Sequence, residues 1–317
     1  MKLKELYEEI IRIGIAADPR GKKCINQLLD KKNQDFKNLK KDQKEFIDKD
    51  NLCNPYADTR VAVGEPDAQI KKIMVGVDID TSELLLANTL NEQGQGIDLV
   101  MSHHPIGEAL VSFYEVMDLQ IDVFNQKGIS LGAAEKLLLE RKAEVSRKVS
   151  AANFSKTKDA AKLLGINLMN AHTPCDNLAY QYLEKEFNRK KPHVLRDIID
   201  RLLKIPEYKE SARQGCPPEI INGNGESRVK NIHYEFTGGT EGPHMIYQKL
   251  SDAGIDTIVA MHLSEQHFKA AKEAHLNVIM AGHIASDNLG INSMIDKLQK
   301  KFKFAVVSCS GFNRFSH

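Results

Sequence analysis

Apolar residues along the chain keep two alternating rhythms. Four short runs, DLVMSHH (98–104), NLMNAH (167–172), DTIVAMH (256–262) and NVIMAGH (277–283), each suit one buried strand, and each ends on histidine. RVAVG and KKIMVGVDID, in the stretch before them, add two more β-branched runs, and TSELLLANTLNEQG then reads as a helix capped by Asp80 or Thr81. Helical spacing recurs over 130–152, 177–187, 264–274 and 286–302, and at the start of the chain Leu3, Leu6, Ile10, Ile11 and Ile13 predict an amphipathic core helix over 2–15. Strands alternating with helices predict an α/β fold with mainly parallel sheets, in which ligands sit at the carboxyl ends of strands.

Two stretches break the rhythm. Residues 31–50, KKNQDFKNLKKDQKEFIDKD, have too few apolar positions for a core strand, and their mixed charges suit a solvated helix or loop. Residues 205–227 are rich in Gly, Pro, Asn and Ser and predict a linker or long loop.

Composition narrows the function classes. The 44 basic and 43 acidic residues give a net charge of +1, so no general attraction to nucleic acid or an anionic membrane is expected, and polyanions could bind only locally. Five cysteines without CxxC spacing argue against a disulfide framework or a thiolate zinc knot, and with no signal-peptide pattern or apolar span they predict a cytoplasmic protein.

The chemistry lies at the strand ends. His103 and His104 stand side by side before Pro105, which restrains His104 to an extended or turn conformation. His172 opens HTPCD, ending at Asp176, and His283 opens HIASD, ending at Asp287; at a strand-to-helix junction this spacing lets both side chains reach one point. Imidazoles and carboxylates from three strand ends are the ligand types of zinc, iron or manganese. A lone strand-end histidine such as His262 is by itself better read as a hydrogen-bonded structural residue.

SHHP in a strand-to-helix turn, H-T-x-x-D followed by NLA, a helix start at LSEQ and AGH-x-x-S-acid resemble, in order from about Val75 to Lys300, the Nif-three-like family of dinuclear-metal hexameric proteins. Some of its members carry the name GTP cyclohydrolase I type 2. The resemblance implies two interlocked α/β lobes with mixed, mainly parallel sheets, and two divalent metal ions (zinc, iron or manganese) per subunit facing the cavity of a homohexamer. The lobes would span 53–192 and 228–317, joined by a loop-rich 193–227, with 1–52 as a charged helical extension. It implies His103, His104, Asp176, His283 and Asp287 as ligands, and His172 beside them, hydrogen-bonded to Asp176 or to metal-bound water. Asp287 is one methylene shorter than the family's usual glutamate, and His262 stands where an acid usually precedes LSEQ.

Such a centre implies hydrolysis of a nucleotide or phosphorylated small molecule, with Glu265 or His262 as the acid or base. Glu265 is equally a helix-start acid favoured by the dipole. No GxxxxGK[ST] or GxGxxG element is present; Gly238, Gly239 and Gly242 in TGGTEGPH could cradle a phosphate but read better as a plain loop, with His244 unassigned after them. Cys175 reads as a small buried thiol and Ser286 as a helix cap. The competing class is a metal-binding assembly or regulatory protein without turnover.

Overall fold

The computed structural model describes residues 1–317. Nine strands form two sheets: β1 (Arg60–Val63), β2 (Lys72–Gly76), β3 (Leu99–Ser102), β4 (Leu168–Asn170), β5 (Glu219–Asn222), β6 (Ile232–Glu235), β7 (Thr257–Ala260), β8 (Asn277–Met280) and β9 (Ala305–Ser308). The first sheet has the order β1-β4-β3-β2-β9 and the second β5-β8-β7-β6. All neighbours run parallel except the edge pairs β1–β4 and β5–β8. The fold is α/β with mixed, mainly parallel sheets, as the alternation predicts. Every residue of β3 and β7 is buried, which explains their unbroken apolar runs, since both faces of these strands are covered.

Pairing and boundaries differ from expectation in three places. β9 lies beside β2 with Lys72 opposite Ala305, so the lobe expected to run from 228 to 317 returns its last strand to the first sheet. The stretch 205–227 is not a loop throughout. It holds the helix Pro206–Arg213, which buries Tyr208, and the edge strand β5, antiparallel to β8. Pro206 is tolerated because a helix's first residue needs no N–H partner. The helices expected at 177 and 286 begin earlier, at Thr173 and His283, which places Asp176 and Asp287 in their opening turns.

The helix Leu3–Ala17, grouped in sequence with the charged residues 1–52, belongs to the core. Leu3, Leu6, Ile10 and Ile13 pack with Leu178 and Ile291 of the helices Thr173–Arg189 and His283–Gln299. Each such side chain contributes roughly 1.5–3 kcal/mol when fully buried. The next helix, Lys22–Asn38, buries only Ile25 and is the solvated helix that its charge pattern allows. No helix is long and apolar enough to cross a membrane. The two long helices start side by side, one after β4 and the other after β8, and bring the two sheets' strand ends to a single point.

Candidate metal centre

β3 ends at Ser102, and the next two backbone N–H groups, of His103 and His104, both donate to the neighbouring segment, to the carbonyls of Gly76 and Val77. In a regular strand successive N–H groups point opposite ways, so the chain has already turned here. Ser102 Oγ fixes the turn by donating to the His104 carbonyl at 2.9 Å. Both rings therefore face the same space, with centroids 5.2 Å apart.

His103 is buried, and its Nδ1 donates to the Ala171 carbonyl at 3.1 Å, which leaves Nε2 pointing at two carboxylates. That nitrogen lies 3.4 Å from Asp176 Oδ1 and 3.4 Å from Asp287 Oδ1. His104 Nδ1 meets Asp78 at 2.6 Å, and its Nε2 lies 3.5 Å from Asp287 Oδ2. His283, one helical turn before Asp287, brings its Nε2 within 3.6 Å of the same oxygen. Asp287 thus turns one oxygen to His103 and the other to His104 and His283. Two groups able to hold a cation share it: His103, Asp176 and Asp287, and His104, His283 and Asp287.

The electrostatics follow from burial against opposite charge. Burial pushes the Asp287 carboxyl up, but His103, His104 and His283 outweigh it and hold the group well below the usual carboxylate range. Burial pushes His103 down, and Asp287 and Asp176 reverse the effect and raise it well above an ordinary imidazole. For His283 burial prevails and the ring is pushed down.

These residues fit a divalent cation. His103 Nε2, Asp176 Oδ1 and both oxygens of Asp287 are buried without a hydrogen-bond partner. Four such atoms around one carboxylate are costly unless positive charge satisfies them, because an unpaired buried polar group costs roughly 1–3 kcal/mol. The orienting bonds fit as well, since a ligating imidazole commonly donates its other ring N–H to a carbonyl or carboxylate.

His172 stands among the imidazoles, its centroid 4.9 Å from His103, and forms a third close group with His103 and His104. Its Nε2 is 3.7 Å from Asp176, while its Nδ1 bonds Asp58 at 2.8 Å. Asp58, fully buried, also accepts from the Thr173 hydroxyl at 2.6 Å and so ties the segment just before β1 to the start of the long helix. Sequence reasoning missed both Asp58 and Asp78; their only signal was an acid in a turn or beside a strand end.

No family model matches the sequence, and no curated protein does. Among solved structures, a NIF3 superfamily protein from Sphaerobacter thermophilus is 28% identical, and the match covers 81% of this chain and 92% of that one with a TM-score of 0.72. The chain has the fold of the NIF3 superfamily. HcgD from Methanocaldococcus jannaschii (14% identical, 84% of this chain and 94% of that one, TM-score 0.49) and TTHA1606 from Thermus thermophilus (17%, 79% and 86%, 0.45) are also similar in outline.

Beside the histidines, the chain has a cavity of about 70 Å³ that His172, Asp176, His262, His283 and Asp287 reach from one side. That volume holds roughly five waters or one phosphate-sized group. The opposite wall comes from β6 and the TGGTEGPH loop, with Glu235, Thr237, Thr240 and Glu241. Gly238 and Gly239 have φ of 97° and 84°, and a Cβ on either would lie 2.6–2.7 Å from Gln120 or Val116. Gln120 donates to the Gly238 and Thr240 carbonyls at 3.0 and 2.7 Å, so these two glycines serve packing of the loop and do not form a phosphate cradle.

Of the two acid–base candidates, only His262 lines this cavity, 4.7 Å centroid to centroid from His283. Glu265 is corrected: its side chain is 72% exposed and pairs with Lys269 at 3.2 Å, as expected of a helix-start acid. Glu241 takes the inward position instead. Burial pushes this carboxyl up, but His262 and the Ser264 N–H outweigh it and lower it to about 2, and the same contact raises His262. Burial raises Glu235 to about 7. His244 lies outside the cavity against Gln266. Cys175 is fully buried, and burial pushes its thiol up. Ser286 is no cap: it sits inside the helix, its hydroxyl on the Gly282 carbonyl at 2.6 Å.

Proposed function

We propose that the chain binds two divalent cations through His103, His104, Asp176, His283 and Asp287 and hydrolyses a phosphorylated small molecule there. The observation that carries this reading is a buried carboxylate, Asp287, shared by two ligand groups, with both its oxygens, His103 Nε2 and Asp176 Oδ1 lacking hydrogen-bond partners. When bound, such a pair of cations polarises a phosphoryl oxygen and acidifies a water. The chain's own residues supply the rest. His262, whose proton affinity the Glu241 carboxylate raises, is the group placed to give a proton to a leaving oxygen. Phe236 and Met261 supply apolar wall to the same cavity and limit its water.

The cavity of about 70 Å³ has room for the phosphate end of a substrate. The second reading, which the ligand clusters support equally, is a metal-binding assembly protein without turnover. All five cysteines are free, which supports a reducing, cytoplasmic setting.

The deciding experiment is elemental analysis of protein purified without chelator or affinity tag, for wild type and a His103→Ala, His104→Ala variant. Close to two metals per wild-type chain, lost in the variant, is the expected result; a phosphoester screen then separates turnover from storage. Wild type that holds no zinc, iron or manganese after reconstitution would remove the hydrolase and the binding readings together.

We also propose the homohexamer. Leu85, Leu86 and Leu163 are exposed on the paired helices Thr81–Glu92 and Lys156–Leu164, an apolar cost that a subunit interface would relieve. Light scattering is expected to give six times the 35.6 kDa chain mass, and a monomer at micromolar concentration would exclude it.

A further inference from the structure

The chain is nearly neutral overall, yet its positive charge is not evenly spread. Where the helices Leu3–Ala17, Thr173–Arg189 and His283–Gln299 lie side by side, a groove of about 500 Å³ opens on the surface. Ile13, Ala17 and Leu178 contribute apolar surface to it, and five cations stand around it: Arg12, Lys185, Lys297, Lys300 and Lys301. The one acid in the lining is Glu9. It is already matched, 2.9 Å from Lys301 and paired with Arg12. Lys185, Lys297 and Lys300 have no carboxylate partner, and all three also border an adjoining hollow of about 200 Å³.

The ordinary account of lysines near a helix end is that they complement its dipole. It covers Lys297, Lys300 and Lys301 at the end of their helix, but not Arg12 or Lys185, which come from two other helices. Gathering like charges around one hollow costs stability, and Lys297 registers the cost: burial and the neighbouring Lys300, Lys185 and Arg12 push its ammonium down. An anion in the groove would remove that repulsion.

We propose that this groove is a binding site for a polyphosphate anion, either free or as the phosphate arm of a small molecule. Ammonium groups are compact point charges suited to phosphate oxygens, and three free ones call for a ligand of more than one negative charge. The groove's size is that of a small-molecule site, and the near-zero net charge gives no extended field for a nucleic acid backbone. The site is separate from the metal centre. Lys185 is nine residues beyond Asp176 and Lys297 ten beyond Asp287, so these two lysines stand about 14 Å down the same two helices from the carboxylates.

The test is calorimetric titration of the purified protein with inorganic tripolyphosphate at low and moderate salt. Wild type should bind with affinity that falls as salt rises, and a Lys185→Ala, Lys297→Ala variant should bind roughly tenfold or more weakly. A Lys209→Ala control, exposed on another helix, should match wild type. No heat in wild type would overturn the proposal. So would equal affinity in the double variant, which would place the anion at the metal centre, or tighter binding of a single-stranded oligonucleotide than of tripolyphosphate.

Discussion

Replacing Asp287 by asparagine is expected to take the metal content from about two ions per chain to one or none while the protein stays folded. The carboxylate is the only group that both metal-sized clusters share, with Oδ1 3.4 Å from His103 Nε2 and Oδ2 3.5–3.6 Å from the Nε2 atoms of His104 and His283. Asparagine fills the same volume but offers a single oxygen. Its NH2 can only donate and binds no cation, so one cluster loses its Asp287 ligand and both lose the neutralising negative charge. Elemental analysis beside circular dichroism distinguishes the outcomes. A folded variant that still carries both metals would remove Asp287 from the ligand set. An unfolded one would instead make it a buried partner for His103.

This shared role also answers a question that the sequence raised. An aspartate where the family usually has glutamate could have left one cluster out of reach. It does not, because the helix starts at His283 and lifts Asp287 into the opening turn, close to both clusters. The motif spacing was legible because HTPCD and HIASD each carry an imidazole and a carboxylate a helical turn apart. Asp58 and Asp78 were not, since they reach their histidines across 114 and 26 residues and belong to no motif. Proximity of that kind is made by strand pairing, which single-strand patterns do not encode.

Pairing explains the other misreadings as well. Nothing in AVVS says that it will sit beside KIMVG, more than 200 residues earlier, rather than close the second sheet. The Gly- and Pro-rich stretch 205–227 hid a helix because the signal there was of turns, whereas Tyr208 gains its helix by burying its ring and bonding Ser286. Nothing in the sequence marked Glu241; only the TGGTEGPH loop, packed on Gln120, turns it toward His262.

The closeness of the two long helices rests on one residue that no motif marks. A Cβ on Gly290 would lie 2.5 Å from the Cys175 carbonyl oxygen and 2.8 Å from its carbon, both backbone atoms that cannot rotate away. Gly290→Ala must therefore push the helix His283–Gln299 off the helix Thr173–Arg189 by about 1 Å to reach ordinary contact. Asp176 and Asp287 sit on those two helices next to the contact, and metal ligands tolerate displacements of only ~0.2 Å. The expected result is a loss of about 3 kcal/mol in unfolding free energy and a fall in metal affinity of roughly tenfold or more. Gly132→Ala is the control: it lies in the first turn of the helix Leu131–Val149, with nothing within 4 Å of its Cβ position, and should change stability by less than about 0.5 kcal/mol. If both variants melt alike and bind metal alike, the two helices can part without moving the carboxylates, and the site is held by its strand-end turns alone. If Gly290→Ala loses metal at a temperature where it is still folded, helix spacing sets the distance between the two halves of the centre.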